Sequence, residues 1–234
     1  MKASLVFCLA VPSAAKVLTI AVLSTFCFSL HAQDTQTNAP LNRPTFSKGD
    51  TWTYRVLNAW TDKELRQYQI DFDKTEADKL VLQLTNKTAN TVSTLHTDLD
   101  LNVCRPVSNS TEVACMGPYK FPMQIGQKIS YDKYPNEDGS GLIQGDCRVV
   151  GTEKMTVPAG SFDTYKISCR GFWTNKFGRL VNNAFGNTAE GNFYELIWYA
   201  PNAKNFVKSF YEKRHSGGTL AYQETHELMD YKIQ

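Results

Sequence analysis

The 234-residue sequence has few of the residue patterns that mark well-known catalytic and metal sites. It contains no Cys-x-x-Cys pair, no His-Glu-x-x-His motif, no Walker-type phosphate loop and no glycine-rich dinucleotide motif. Histidine is scarce as well, with four in the whole chain. We therefore predict no metal site, no cofactor and no catalytic residue, and expect that the protein is not an enzyme.

A basic excess is also missing. The chain has 25 Lys and Arg against 23 Asp and Glu, and loss of Lys2 and Lys16 with the N-terminal segment described next leaves 23 against 23. A formal net charge of zero offers no basic surface to neutralise phosphates. We expect no nucleic-acid partner.

The N-terminus has the most specific pattern in the sequence. Lys2 and Lys16 are the only charged residues among the first 33, and the apolar or small-residue run 17–30 has 14 residues, followed by the small Ala32. This order is typical of a secretory signal peptide, and the run is shorter than the roughly 20 residues that a spanning helix needs. We predict that 1–32 is a signal peptide cleaved after Ala32, that the mature chain is periplasmic or secreted, and that it has no membrane span. An uncleaved anchor is the less favoured alternative.

Four cysteines remain after this cleavage. An even number in an exported protein indicates two disulfides, for which three pairings exist. We favour Cys104–Cys115, which closes a short loop, and Cys147–Cys169, which connects neighbouring strands. Free buried thiols are the alternative.

Apolar and polar residues alternate along most of the chain from Phe46 onward, and no convincing amphipathic helix occurs. The clearest strand runs from Leu95 to Val103, because every second residue there faces one side. Residues 33–43 are polar and aperiodic and are predicted to be a flexible tether, and 44–234 a single all-β domain. We predict an all-β fold, a curled antiparallel sheet that is half-barrel or barrel-like, with about ten strands and little helix outside the signal peptide. The other predicted strands are 50–58, 64–73, 79–86, 128–134, 145–157, 162–173, 192–200, 205–214 and 219–231.

The stretch 157–169, VPAGSFDTYKISC, resembles an active-site turn. A serine nucleophile elbow needs glycines on both sides of the serine and a helix after it. Ser161 is instead followed by alternating apolar residues that predict a strand. We interpret Pro158 and Gly160 as structural turn residues between two strands, because proline sets the bend and glycine tolerates positive φ.

The segment 174–192 is predicted to be a long loop rich in glycine and asparagine, with aromatic residues inside it and at its edges. Long loops in compact domains are often functional, although this one could equally cover the open end of the sheet. The adjoining segment 193–200 is apolar on both faces and could form one wall of an apolar cavity. The predicted ligand-binding residues are Trp173, Phe177, Phe185, Phe193 and Trp198.

Several segments together resemble a group of uncharacterised bacterial periplasmic β-rich proteins that share a V-P-A-G-[ST]-F turn. The segments are GDTWTY at 49–54, FPMQIGQ at 121–127, VPAGSFDTYKI at 157–167, WYAPNAKNFVKSFYE at 198–212 and the closing ELMDY at 227–231. The resemblance implies a curled antiparallel sheet similar to that of lipoprotein carriers, with one face open to a hydrophobic ligand or a partner. Its motifs are structural, so it implies no functional residues.

Three functions are compatible with these observations. The favoured one is an exported, non-catalytic protein that binds an apolar, lipid-like molecule or an envelope partner. The second is a structural or assembly protein of the cell envelope. The third is a secreted hydrolase, which would need two carboxylates to converge; the available ones are Asp132, Glu137, Glu190 and Glu195.

Overall fold

The computed structural model describes residues 39–107, 111–135, 141–176 and 188–234, and these form an all-β fold. Its strands follow the alternating segments of the sequence, since alternation lets a strand bury one face. One 3-10 turn, Pro201–Ala203, is the helical element among these residues. The strands are β1 (Thr51–Asn58), β2 (Glu64–Glu76), β3 (Lys79–Asn86), β4 (Thr91–Asp98), β5 (Cys104–Pro106), β6 (Val113–Cys115), β7 (Lys128–Pro135), β8 (Gly141–Val157), β9 (Gly160–Lys176), β10 (Thr188–Ala200), β11 (Asn205–His215) and β12 (Leu220–Lys232).

Ten of these strands form one antiparallel sheet in the order β4-β3-β2-β1-β12-β11-β10-β9-β8-β7, and β5 pairs with β6 separately. The two outer strands are joined by residues 99–127, and we call the part 99–123, which contains β5 and β6, the connection. Val103 pairs with Thr97 of β4 and accepts a hydrogen bond of 2.7 Å from the hydroxyl of Tyr134 in β7. Arg105 donates to the Pro135 carbonyl oxygen at 2.9 Å. The sheet is therefore curled but open in the described residues. This confirms the predicted all-β, curled antiparallel sheet; of the two predicted forms, it is the half-barrel and not a closed barrel.

We call the face of the sheet that is covered by the connection 99–123 the inner face. Buried side chains form two hydrophobic clusters. The connection contributes Tyr119, Phe121 and Met123 to the cluster that also contains Tyr199. Tyr119 and Phe121 each pack edge-on against Tyr199 of β10, with ring centroids 5.8 and 5.6 Å apart. The connection thus fills part of the concavity. The first cluster is built around Trp52, Tyr54, Ile70, Phe72, Leu80, Leu82 and Leu228, and the second around Met123, Val149, Ile167, Trp173, Phe193, Ile197 and Tyr199.

The strand predicted from Leu95 to Val103 is wrong in its second half. The chain turns after Asp98, whose carboxylate accepts hydrogen bonds from the backbone N–H groups of Asp100 and Asn102 at 2.9 and 2.8 Å. Leu101 has a φ of 72° in this turn. An aspartate that bonds the backbone two residues ahead replaces ladder bonds with a turn, so alternation continues in the sequence beyond the end of the strand.

Pro158 and Ala159 form a two-residue turn between β8 and β9, in the position predicted for the turn. Gly160 has a φ of 133°, which favours glycine because a Cβ atom is strained there. Ser161 lies on β9, and its hydroxyl bonds that of Thr156 across the hairpin at 2.8 Å. The stretch therefore has a structural arrangement in which Ser161 has no histidine partner.

Both cysteine pairs favoured by the sequence are joined as disulfides in the structure. Cys104–Cys115 connects β5 to β6 and Cys147–Cys169 connects β8 to β9, each pair at directly opposite positions. The second pair is buried in the second cluster.

The end of the predicted tether is attached to the domain. Leu41 and Met123 exchange two backbone hydrogen bonds of 2.8 Å, and Arg43 forms an ion pair of 2.6 Å with Asp100. The tether prediction is therefore wrong for these two residues. The predicted signal peptide with its cleavage position lies outside the described residues, all of which belong to one compact unit.

Asp50 holds the C-terminus and the 3-10 turn to the start of β1. Its carboxylate is fully buried, pairs with the ammonium of Lys204 at 2.9 Å, and accepts backbone hydrogen bonds from Ser47 at 3.1 Å and Gln234 at 2.7 Å. Burial alone would raise the pKa of Asp50, but the hydrogen bonds and Lys204 lower it on balance. The carboxylate is therefore ionised and fully bonded in the folded protein.

Candidate functional site

The predicted ligand-binding aromatics that the structure describes are packed in the core. Trp173 is 3% exposed and its indole N–H donates to the carbonyl oxygens of Asn192 and Arg214 at 3.2 and 3.1 Å. Trp198 is 7% exposed and its indole N–H donates to Glu153. These two rings have structural partners, which argues against the predicted ligand contacts. Phe177 and Phe185 lie outside the described residues.

Phe193, the third described aromatic, is also buried, but it begins an aromatic row on the inner face. A Cβ atom at Gly145 would lie 2.8 Å from its Cζ atom, and one at Gly171 2.7 Å from its Cε1 atom, so two glycines make room for the ring. Phe193 stacks on Tyr211 with ring centroids 5.8 Å apart, and Tyr211 stacks on Tyr222 at 5.5 Å. The row therefore crosses from β10 to β12.

Glu195 lies beside this row and is the candidate functional residue. It is opposite Cys169 on one neighbouring strand and Tyr211 on the other. Its carboxylate makes no hydrogen bond or ion pair with any residue that the structure describes. The side chain of Glu195 is half-buried.

The electrostatics around Glu195 follow from its half-buried position. Burial raises the pKa of the Glu195 carboxyl to about 7. Burial also raises the pKa values of Tyr119, Tyr131 and Tyr211, and the negative charge of Glu195 contributes to each increase. The Glu195 charge therefore acts on three phenol groups, which come from the connection, β7 and β11 and all stay protonated.

A polar network continues across the inner face from Tyr211, which pairs with Glu224 of β12. The Glu224 carboxylate receives two hydrogen bonds from Arg66, of 3.0 and 2.9 Å, and the Nε2 atom of His226 lies 3.6 Å away. The Nδ1 atom of His226 is 2.8 Å from the hydroxyl of Tyr68. His226 and Arg66 together lower the pKa of Glu224 to about 2. This carboxylate is ionised and fully occupied, in contrast to Glu195.

One end of the sheet exposes apolar side chains, and we call it the exposed end; it comprises turns 59–63 and 216–219 with the adjoining strand ends. Trp60 is 82% exposed and Tyr222 44% exposed, and Leu65 and Leu220 are also exposed there. Glu195 and Glu224 lie in one row across the sheet, since both pair with Tyr211. Four residues separate Leu220 from Glu224, which places this row about 13 Å from the end of β12.

The carboxylates considered for hydrolysis do not converge in the described part of the chain. Glu190 is five residues from Glu195 on the same strand, so it points to the other face. Asp132 lines an open groove of about 660 Å³ together with Asp146 and Arg170. Glu137 lies outside the described residues. Glu224 shares the inner face with Glu195, but Arg66 bonds both of its oxygens.

The described residues contain no group of three or more His, Cys, Asp or Glu side chains placed to hold a metal ion. They also contain no helix that is long and apolar enough to cross a membrane.

The sequence identified Glu195 only as one of four available carboxylates and did not predict its position beside the aromatic row. A signal was present, because Glu195 is the one charged residue in the apolar strand segment FYELIWYA, 193–200. A single charge inside such a segment is costly unless it has a partner or a function. Its phenolic neighbours could not be predicted, since they lie far from it in sequence.

No protein-family model matches the chain, and no curated protein sequence matches it. Three solved structures are similar to it. A protein from Bacteroides fragilis, described as exported with a YmcC-like fold, is 16% identical over 83% of this chain and 100% of its own, with a TM-score of 0.44. A protein from Parabacteroides distasonis, described as a lipoprotein, is 14% identical over 82% and 97%, with a TM-score of 0.41. The lipoprotein YmcC from Escherichia coli, described as hypothetical, is 10% identical over 80% and 86%, with a TM-score of 0.39.

Proposed function

We propose that this is an exported, non-catalytic protein that binds a small, largely apolar molecule on the inner face next to the exposed end. The supporting observation is the half-buried Glu195 carboxylate, which bonds to no described residue and lies beside the aromatic row of Phe193, Tyr211 and Tyr222. A half-buried carboxylate in a folded protein normally has a hydrogen-bonding or ionic partner. Without one, nothing offsets the free-energy cost of removing its charge from water. A bound molecule would supply the missing contacts.

Export is part of the proposal. It is supported by the charged start, apolar middle and small-residue end of 1–32 and by the two disulfides, which persist in oxidising compartments. We propose that the mature chain acts in the periplasm or outside the cell, as the resemblance to periplasmic β-rich proteins implies.

The apolar residues of the exposed end support an apolar ligand. Trp60, Leu65, Leu220 and Tyr222 expose hydrophobic surface at the end closest to Glu195. Exposed apolar groups that lie together mark binding surfaces more often than scattered ones do. A ligand with a hydrocarbon part would contact them while its other end reaches the inner face.

Native mass spectrometry of the protein purified without detergent from its own cell envelope tests the proposal. We expect a co-purified small molecule whose occupancy falls in the variant Trp60→Ala and is retained in Val150→Ala. Val150 is a matched control because it is an exposed apolar residue in the middle of β8. Uniformly ligand-free protein, with no uptake of added lipid, would contradict the proposal.

A second candidate function, assembly with an envelope protein, is favoured by the free edge of β4. Residues 91–96 pair with β3 on one side, and no residue of the described chain pairs with them on the other. Such an edge can accept a strand from a partner. Cross-linking in cells from a residue placed at Ser93 would then capture one dominant protein, and a proline at Ser93 would abolish the capture. The same cross-linker at Ser161, on the β8–β9 hairpin, serves as the control.

A further inference from the structure

We propose that Glu195 binds a positively charged head group, so that the ligand is an amphipathic amine or quaternary ammonium compound. This inference rests on the proposed function and specifies its ligand class. The carboxylate would pair with the ammonium, and the hydrocarbon part would extend along the aromatic row towards the exposed end.

The charge on the inner face favours a cation over an anion. Arg66 is committed to Glu224 by two hydrogen bonds, and the ammonium of Lys213 lies 4.1 Å above the ring of Trp173. Two carboxylates, Glu195 and Glu224, lie opposite Tyr211, and of these Glu224 is bonded to Arg66 while Glu195 is bonded to no described cation. The Glu195 charge would repel an anionic ligand, whereas an ammonium would neutralise it.

The aromatic surroundings favour the same ligand class. The carboxylate lies opposite Tyr211, and its charge acts on Tyr119 and Tyr131. Aromatic groups attract ammonium cations, and the attraction is stronger when the cation is removed from water. A carboxylate together with several aromatic side chains is the combination that binds alkylated ammonium groups, while a neutral sugar or alcohol would gain little from the charge.

Several other titratable or charged groups lie on the inner face with Glu195, and their charges bear on how ammonium binding depends on pH. Burial raises the pKa values of the phenols, so they stay protonated throughout the neutral range, where Glu224 is ionised. The groups on the inner face with Glu195 are Tyr119 from the connection, Tyr131 from β7, the disulfide of Cys147 and Cys169 from β8 and β9, Tyr199 from β10, Tyr211 and Lys213 from β11, Glu224 and His226 from β12, and Arg66 and Tyr68 from β2.

Calorimetric titration of the mature protein with three amphiphiles of one chain length tests the inference. The probes are decyltrimethylammonium, the uncharged decyl maltoside and decyl sulfate, each below its micelle concentration at pH 8. We expect the ammonium probe to bind roughly tenfold or more tightly than the uncharged one, which is the gain typical of one charge-assisted contact. The sulfate should bind most weakly.

The variant Glu195→Gln should remove the preference for ammonium, while Glu190→Gln should keep it. Glu190 is the matched control because it lies on the same strand, is exposed, and points to the other face. In the unchanged protein the preference should also decrease as the pH falls from 8 to 5, since protonation removes the Glu195 charge. This second readout needs no substitution and so does not depend on how well a variant folds.

The outcomes separate the two proposals. Equal binding of the ammonium and uncharged probes, or tighter binding of the sulfate, would overturn the inference and leave the proposed function standing. An ammonium preference that persists in Glu195→Gln and at pH 5 would also overturn it. If none of the three amphiphiles binds, both the inference and the apolar-ligand function are contradicted.

Discussion

The disulfide between Cys147 and Cys169 provides a stability prediction whose size follows from the chain. The bond closes a segment with a sequence separation of 22, and the loop-entropy relation gives it about 3.4 kcal/mol at 25 °C. The Cys104–Cys115 bond, with a separation of 11, is worth about 2.8 kcal/mol on the same relation. For a domain of this size, each kcal/mol corresponds to about 2–4 °C in Tm. Loss of the Cys147–Cys169 bond should therefore lower Tm by about 7–14 °C.

The assay should isolate that bond from the other. The double variant Cys104→Ala with Cys115→Ala leaves Cys147–Cys169 as the one bridge in the described chain. Both of its cysteines are buried, so the reductant must be applied to the unfolded protein in urea before refolding with a phosphine present. Differential scanning calorimetry with and without reduction then measures the bond. An unchanged Tm would refute the reasoning, because it would mean that the thiols are not joined or that the bond does not restrict the unfolded chain.

Three further predictions concern single side chains. The pKa of Glu195 is raised to about 7 in the folded protein, so its carboxyl reduces stability as the pH rises from about 4.5 through 7. By urea titration, the free energy of unfolding of Glu195→Gln should exceed that of the unchanged protein by less than about 1 kcal/mol at pH 5 and by about 3 kcal/mol at pH 8. An equal difference at both pH values would contradict this. Asp50→Asn leaves the partly buried Lys204 without its anion and should cost about 3 kcal/mol. Acid should cause the same loss in the unchanged protein as the pH falls through the lowered pKa of Asp50. Gly171→Ala brings a Cβ atom within 2.0 Å of the Gln144 carbonyl oxygen and should cost about 2 kcal/mol, whereas Gly151→Ala has open space and should be nearly neutral; equal urea midpoints for these two variants would contradict the packing argument.

Much of the fold could be predicted because its determinants are local. Alternation predicted the long strands, and Pro158 with Gly160 predicted the turn between β8 and β9. Local patterns also caused the error after Asp98, where one carboxylate bonds two backbone N–H groups and ends the strand although the alternation continues. Strands β5 and β6 have three residues each, which is too short for a periodic pattern.

The candidate site could not be predicted, because its members meet through tertiary structure. Tyr68 and His226 are 158 residues apart, and Tyr119 reaches the inner face from the connection between the two outer strands. Aromatic character alone pointed to Trp173 and Trp198, which the structure uses in the core. The distinguishing property of Glu195 is the absence of a bonding partner in the described chain, and that absence is a property of the folded protein.

The central claim is that Glu195 is a half-buried carboxyl group open to a cationic ligand. A 13C NMR titration of glutamate-labelled protein, with the Glu195 signal identified by the Glu195→Gln variant, measures its pKa directly. We predict a midpoint at about 7 in the free protein and a clear decrease when decyltrimethylammonium is bound, because a bound cation favours the ionised form. A midpoint near 4.5 that decyltrimethylammonium does not change would contradict the claim.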